Sequence, residues 1–147
     1  MSAPAAVSRL IAGSPAKVWE VLSDGWLYTG WVVGAAHIRD VESGWPAAGT
    51  RLHHSVGGWP FLVSDYTTSL EAVPEQRLRL KARAWPFGEA EVRVELEPEG
   101  SGTTVSMFEK PTAGPGKWLH NPLQQRVLVA RNKEALARLD SLVTRRP

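Results

Sequence analysis

The sequence predicts an α+β fold in which a meander of antiparallel strands is covered by one long C-terminal helix. Three observations carry that prediction. The middle of the chain contains extended runs in which apolar and polar residues alternate with period two. Such alternation marks a sheet with one face in water. The last twenty-odd residues instead repeat their apolar positions with helical period. Between the first extended run and the meander stands a helix-start signal, Ser14 followed by Pro15.

The elements follow in order. A first strand is expected at 5–12, AAVSRLIA. In SPAKVWEVLSD the Ser14 hydroxyl can accept from free amides of the first turn, and Val18, Val21 and Leu22 share one helical face. A short second helix is expected over Asp24 to Gly30. Six extended runs follow, at 35–42, 50–56, 61–71, 76–85, 89–97 and 103–110, each bounded by Gly, Pro, Ser or Asn. In RLRLKARAW, Leu78, Leu80, Ala82 and Ala84 alternate with Arg79, Lys81 and Arg83. In EAEVRVELE, Ala90, Val92, Val94 and Leu96 alternate with charged residues. Pairing these two runs about a Pro86-Phe87-Gly88 turn would set Arg83 opposite Glu91 and Arg79 opposite Glu95. The last helix starts at Asn121 as cap with Pro122 in its first turn, and runs to about Thr144 with Leu128, Ala135, Leu139 and Leu142 as its apolar stripe. At 1.5 Å per residue it is about 35 Å long, enough to cross the whole sheet.

Composition bounds the function. With 147 residues and 43% hydrophobic content, residues 1–147 read as one domain with a core of its own. Cysteine is absent, which removes disulfides and thiolate metal sites. The seventeen basic residues are interleaved with acids, to a net charge of +2, so no basic stripe suited to nucleic acid forms. No apolar run is long enough to span a membrane, and the N-terminal MSAPAAVSRL lacks the pattern of a signal peptide, so a cytoplasmic location is expected. A phosphate loop, a nucleotide fingerprint, a Gly-x-Ser-x-Gly elbow and a two-histidine helical motif are all missing. No cofactor and no metal are therefore expected. Tryptophan is over-represented, with seven residues against three phenylalanines.

The element order resembles the helix-grip fold of the START-like (SRPBCC) superfamily, in its branch of small bacterial polyketide cyclase/dehydrase and lipid-transport-like proteins. SPAKVWEVLSD (14–24) is similar to the first-helix signature of that group. WLYTGWVVG (26–34) resembles its tyrosine-to-tryptophan segment, SGWPAAGT (43–50) its glycine-rich turn, and RNKEALARLDSL (131–142) its closing helix. The resemblance covers nearly the whole chain. It implies a curved seven-stranded sheet wrapped around the long helix, two short helices between the first two strands, and an apolar ligand held between sheet and helix.

Alternate loops of a meander lie at one end, which gathers Trp31, Trp59, Trp85 and Trp118 at one rim and sends Trp45 to the other. Such a rim either caps the core or forms a cavity mouth. In RLHHSVGGWPF the two histidines point to opposite faces. His54 shares its face with Leu52 and Val56 and is expected inside; His53 is expected outside. Tyr66 shares a face with Leu62 and Leu70 and is expected to point inward, leaving Asp65 outside. Glu109 shares a face with Val105 and Met107, where a carboxylate needs a partner, and Arg131 or Asn132 of the long helix, near Leu128, can supply it.

The expected ligand-binding set is thus Trp31, His54, Trp59, Tyr66, Trp85, Met107, Glu109, Trp118, Leu128 and Asn132. Three functions fit. The leading one is a binding protein, monomeric or homodimeric, for a small hydrophobic or aromatic molecule of polyketide, lipid or metabolite type. The second is a cyclase or dehydratase in which His54 is the general acid/base and Tyr66 or Glu109 orients the substrate. The third, implied by the resemblance, is a protein-interaction module like the chaperone activators of that superfamily.

Overall fold

The computed structural model describes residues 5–33, 35–56, 63–84, 88–113 and 122–145. Strand β1 (Ala5–Ile11) leads into α1 (Pro15–Leu22). A single turn of 3-10 helix at Gly25–Leu27 runs directly into α2 (Tyr28–Trp31). Six strands follow, β2 (Ala35–Val41), β3 (Arg51–Val56), β4 (Val63–Val73), β5 (Arg77–Ala84), β6 (Gly88–Glu99) and β7 (Gly102–Ala113). Helix α3 (Pro122–Thr144) closes the chain. All seven strands form one antiparallel sheet in the order β1-β7-β6-β5-β4-β3-β2. Strand β1 thus joins the far edge of the meander beside β7. Bulges interrupt the β2–β3 ladder and, at Leu70, the β4–β5 ladder. Each bends its strand, and the sheet curves around α3 as a helix-grip fold.

Local chemistry accounts for the helices. The Ser14 side chain accepts from the Lys17 amide, and Pro15 sits at the first helical position, where its missing N–H costs nothing. The Asp24 carboxylate accepts from the Trp26 amide and opens the 3-10 turn. Val18, Val21 and Leu22 of α1 are buried against the sheet, as their spacing predicts. On α3 the buried face is Leu128, Asn132, Ala135, Leu136, Leu139 and Val143, and this helix packs on β1, β7, α1 and α2. Asn121, the expected cap of α3, lies outside the described residues.

One expected register is corrected. In the β5–β6 ladder Arg83 faces Glu89, Lys81 faces Glu91 and Arg79 faces Arg93, two residues away from the expected pairing. Ala84 pairs with Gly88, so the three-residue connection is 85–87 and not Pro86-Phe87-Gly88. A two-residue shift keeps every side chain on its own face, so burial is indifferent to it. The ion pairs simply become diagonal, Arg79 to Glu91 at 3.0 Å and Lys81 to Glu89 at 3.4 Å. Arg93, left opposite Arg79, pairs with Glu95 at 3.1 Å and lies over the Phe108 ring.

Candidate functional site

The concave face of the sheet tapers toward one end. Along the β5–β6 ladder the inward pairs are Leu78–Val94, Leu80–Val92 and finally Ala82–Ala90. Leu78 and Val94 are fully buried in the core, whereas Leu80, Val92 and the small Ala82 and Ala90 border open space. The result is a cavity of about 280 Å³ between the sheet, α2 and α3. Leu80, Ala82, Val92 and Met107 form its floor, and Trp31, Leu128 and Ala135 its helical wall. This volume is about twice that of a ~150 Å³ apolar cavity able to take benzene.

The polar groups of the cavity fall into two clusters. In the first, His54 points inward from β3, 2% exposed. Its Nε2 lies 2.8 Å from the Thr67 hydroxyl, which is itself 3.0 Å from the Tyr28 hydroxyl. The imidazole also stacks on the Tyr28 ring, with centroids 5.7 Å apart and planes 21° from parallel. Burial pushes the His54 pKa down to about 4; the Asp65 carboxylate raises it and Arg39 and His53 lower it. Burial likewise pushes the Tyr28 phenol up to about 12. The chain His54–Thr67–Tyr28 is therefore uncharged at neutral pH. Its proton can run either way, since Thr67 donates to one neighbour and accepts from the other.

The second cluster is Glu109, Arg131 and Asn132. Glu109, 6% exposed on β7, is paired with the Arg131 guanidinium of α3, the contact the sequence anticipated. Asn132 is 1% exposed, and among the described residues its Nδ2 has no partner. Nor have Trp31 Nε1 and His54 Nδ1. Three side chains of one cavity wall thus carry buried polar atoms left unpaired among the described residues, and each such atom costs roughly 1–3 kcal/mol.

The expected site residues can now be placed. His54, Met107, Glu109, Leu128, Asn132 and Trp31 all line the cavity. Trp31 is 1% exposed, so it belongs to the wall and not to an open rim. Trp59, Trp85 and Trp118 lie outside the described residues. Tyr66 is not where the sequence placed it. The inward residues of β4 are Asp65, Thr67 and Ser69, and Tyr66 is on the outer face. There its ring lies beneath the Arg51 and Arg83 guanidinium groups at 4.4 and 5.0 Å, and its hydroxyl accepts from Arg83 at 2.7 Å. The reason is register. His54 pairs with Asp65 and His53 with Tyr66, so an inward His54 fixes an inward Asp65. The bulge at Leu70 then changes the phase of the strand, so Leu70 is no guide to the face of Tyr66.

A polar inner face is tolerable because each group has a partner. Asp65 meets Arg83 at 3.2 Å and accepts from the Tyr66 amide, Thr67 joins the His54–Tyr28 chain, and Ser69 donates to the Pro46 carbonyl. Tyr28 and Thr67 were not among the expected site residues. The signal for Thr67 was present in the pairing of β3 with β4 once His54 is set inside. The signal for the cavity was the fall from leucine to alanine along RLRLKARA.

Among the described residues no group of three or more His, Asp or Glu is placed to hold a metal ion, and no helix is long and apolar enough to cross a membrane. Comparison with curated proteins gives no match. Solved structures share the fold at low identity. Protein NE0264 from Nitrosomonas europaea is 18% identical with a TM-score of 0.72, over 97% of this chain and 94% of that one. Ara h 8.0201 is 10% identical with a TM-score of 0.74, over 96% and 97%. The di-domain ARO/CYC StfQ from the steffimycin biosynthetic pathway is 12% identical with a TM-score of 0.71, over 95% of this chain and 49% of that one. The family model for polyketide cyclase/dehydrase and lipid transport matches residues 3–144. The chain belongs to that family, a member of the START-like (SRPBCC) superfamily built on the helix-grip fold.

Proposed function

We propose that the protein binds a small hydrophobic molecule, aromatic and about the size of two fused rings, between its sheet and α3. The observation that carries this reading is the cavity of about 280 Å³ with an apolar floor and with His54, Asn132 and the Glu109–Arg131 pair in its wall. Apolar walls with a few fixed polar groups are the usual design of a small-molecule site. The tapering β5–β6 ladder supports it further, since Ala82 opposite Ala90 leaves volume that leucine at either position would occupy.

Binding accounts for the polar residues better than proton transfer does. A general base works best with a pKa near the operating pH, and His54 at about 4 is a weak one. Of the two expected orienting groups, Tyr66 is on the outer face and Glu109 is held by Arg131. The third reading gains no contact residue from Trp31, which is buried in the wall.

The test is equilibrium dialysis of the protein against naphthalene derivatives, with Ala82→Leu as the cavity-filling control. Saturable binding to the parent protein, lost in a variant that melts no lower, is the expected result. Binding that is unchanged when the cavity is filled would remove the site, and no binding by the parent protein would remove the function.

A further inference from the structure

We propose that the free edge of β1 is a self-association surface, and that its partner is β1 of a second copy of this chain, added antiparallel so that two sheets run on as one. The open sheet has two edges, β1 and β2. An unpaired edge presents a row of N–H and C=O groups to any strand that meets it, and proteins blunt such edges with charges, bulges or a covering element. Strand β2 is blunted. Two bulges break its register with β3, and His37, Arg39 and Asp40 stand exposed along it. Strand β1 is not. All seven of its residues pair with β7 without a break. Its one charged residue, Arg9, turns to α3 and is held by Asp140 at 2.7 Å. Among the described residues no backbone group outside the sheet bonds to β1 except at Ile11, which accepts from Gly13.

The charge of the outer face carries the second argument, because it says what kind of strand fits. Across β5 and β6 that face is charged, with Arg79, Lys81, Glu91 and Arg93 upon it. Across β1 and β7 it is uncharged: Ala6 lies beside Phe108, Ser8 beside Ser106 and Leu10 beside Thr104. Leu10 leaves 59% of its surface in water. A charged strand would find no counter-charge here, whereas a second β1 matches it. A two-fold axis through Ser8 uses the whole strand. It sets Ser8 against Ser8 of the second copy, Ala6 against Leu10 and Val7 against Arg9. Leu10 is then partly covered, and no like charges stand opposite each other. At roughly 3.3 Å per residue the contact runs about 23 Å. A strip of that length is at the small end of specific interfaces, so the dimer forms and parts with concentration. No residue from Ala6 to Ile11 lines the cavity, so the association is independent of what the cavity holds.

The test is sedimentation equilibrium of the parent protein and of Ser8→Lys and Ser8→Asp, each alone and the two mixed one to one. The parent should move from the monomer mass towards twice that mass between micromolar and millimolar concentration, and its β1 amides should exchange with deuterium more slowly as it does. Each variant alone sets like charges face to face across the axis and should weaken association roughly tenfold. The mixture, with lysine facing aspartate, should regain it. Leu123→Lys, which charges an exposed leucine of α3, should change nothing. If the Ser8 variants lose their native circular dichroism, Leu10→Lys replaces them, with the same expected weakening.

A parent protein that stays monomeric throughout would overturn the proposal. So would a dimer that the β1 variants leave intact, or one that Leu123→Lys dissolves, which would put the contact on α3. Variants weakened alone and not restored by mixing would overturn the axis at Ser8.

Discussion

Acidification should destabilise this fold through His54 in particular. The folded state holds the imidazole at about 4, against 6.5 for the free side chain. The unfolded chain therefore binds the proton more readily, and stability must fall as pH falls. The contribution is fully present above pH 6.5 and drains away down to pH 4. Linkage puts the loss relative to neutral pH at about 2 kcal/mol at pH 5 and about 3 kcal/mol at pH 4. Other groups titrate in that range, so the measurement is a difference. Urea denaturation of the parent protein and of His54→Gln, at pH 7, 6, 5 and 4, cancels what the two have in common. The parent should lose about 2 kcal/mol more than the variant between pH 7 and pH 5. The His54 ring resonances, followed by NMR, should move only below pH 5. Parallel stability curves, or a His54 titration near 6.5, would refute the inward, desolvated histidine on which the site is built.

Three further outcomes follow from the same geometry. Arg131→Met should cost more than Glu109→Gln, roughly 3 kcal/mol against half that, because it strands a buried carboxylate whereas Arg131 keeps over a third of its surface in water; denaturant melts of both variants check the order. Gly25→Ala should cost roughly 1–3 kcal/mol and lower the thermal midpoint, since the added methyl would meet Val41 Cγ1 at 2.8 Å and Leu52 Cδ1 at 3.0 Å; an unshifted midpoint would contradict that packing. Tyr66→Phe should leave dialysis affinities unchanged within about twofold and stability within about 1 kcal/mol, because it removes only a half-exposed bond to Arg83; a large loss of affinity would put Tyr66 back in the cavity.

The fold was legible because its signals are local. Period-two alternation in RLRLKARA, the Ser14-Pro15 start and the apolar stripe from Leu128 to Leu139 each specify one element without reference to the others. Once the strands form a meander, only α3 is long enough to cover them. Registers are less legible, as β5 and β6 show. A shift of two residues preserves every face, and the competing ion pairs are exposed and worth only tenths of a kcal/mol to about 1 each. The choice between registers is therefore left to the turn, about which alternation says nothing.

The cavity shows where local reading stops. Hydrophobicity is a poor guide to the inner face of β4, because Asp65, Thr67 and Ser69 occupy it and each is satisfied by a residue distant in sequence: Arg83, Tyr28 with His54, and Pro46. A strand whose inward residues are polar looks inside out to any rule that puts apolar groups within, and the bulge at Leu70 adds a second change of phase. His54 was still readable, since Leu52 shares its face. The inference that was open from sequence was the joint one. His54 inward, with β3 and β4 paired as a hairpin, obliges some β4 residue opposite it to face inward too, whatever its polarity. Binding sites are where this joint reading is needed, because a cavity requires what a packed core excludes: small side chains where large ones fit, and polar atoms held ready for a partner that is not part of the chain.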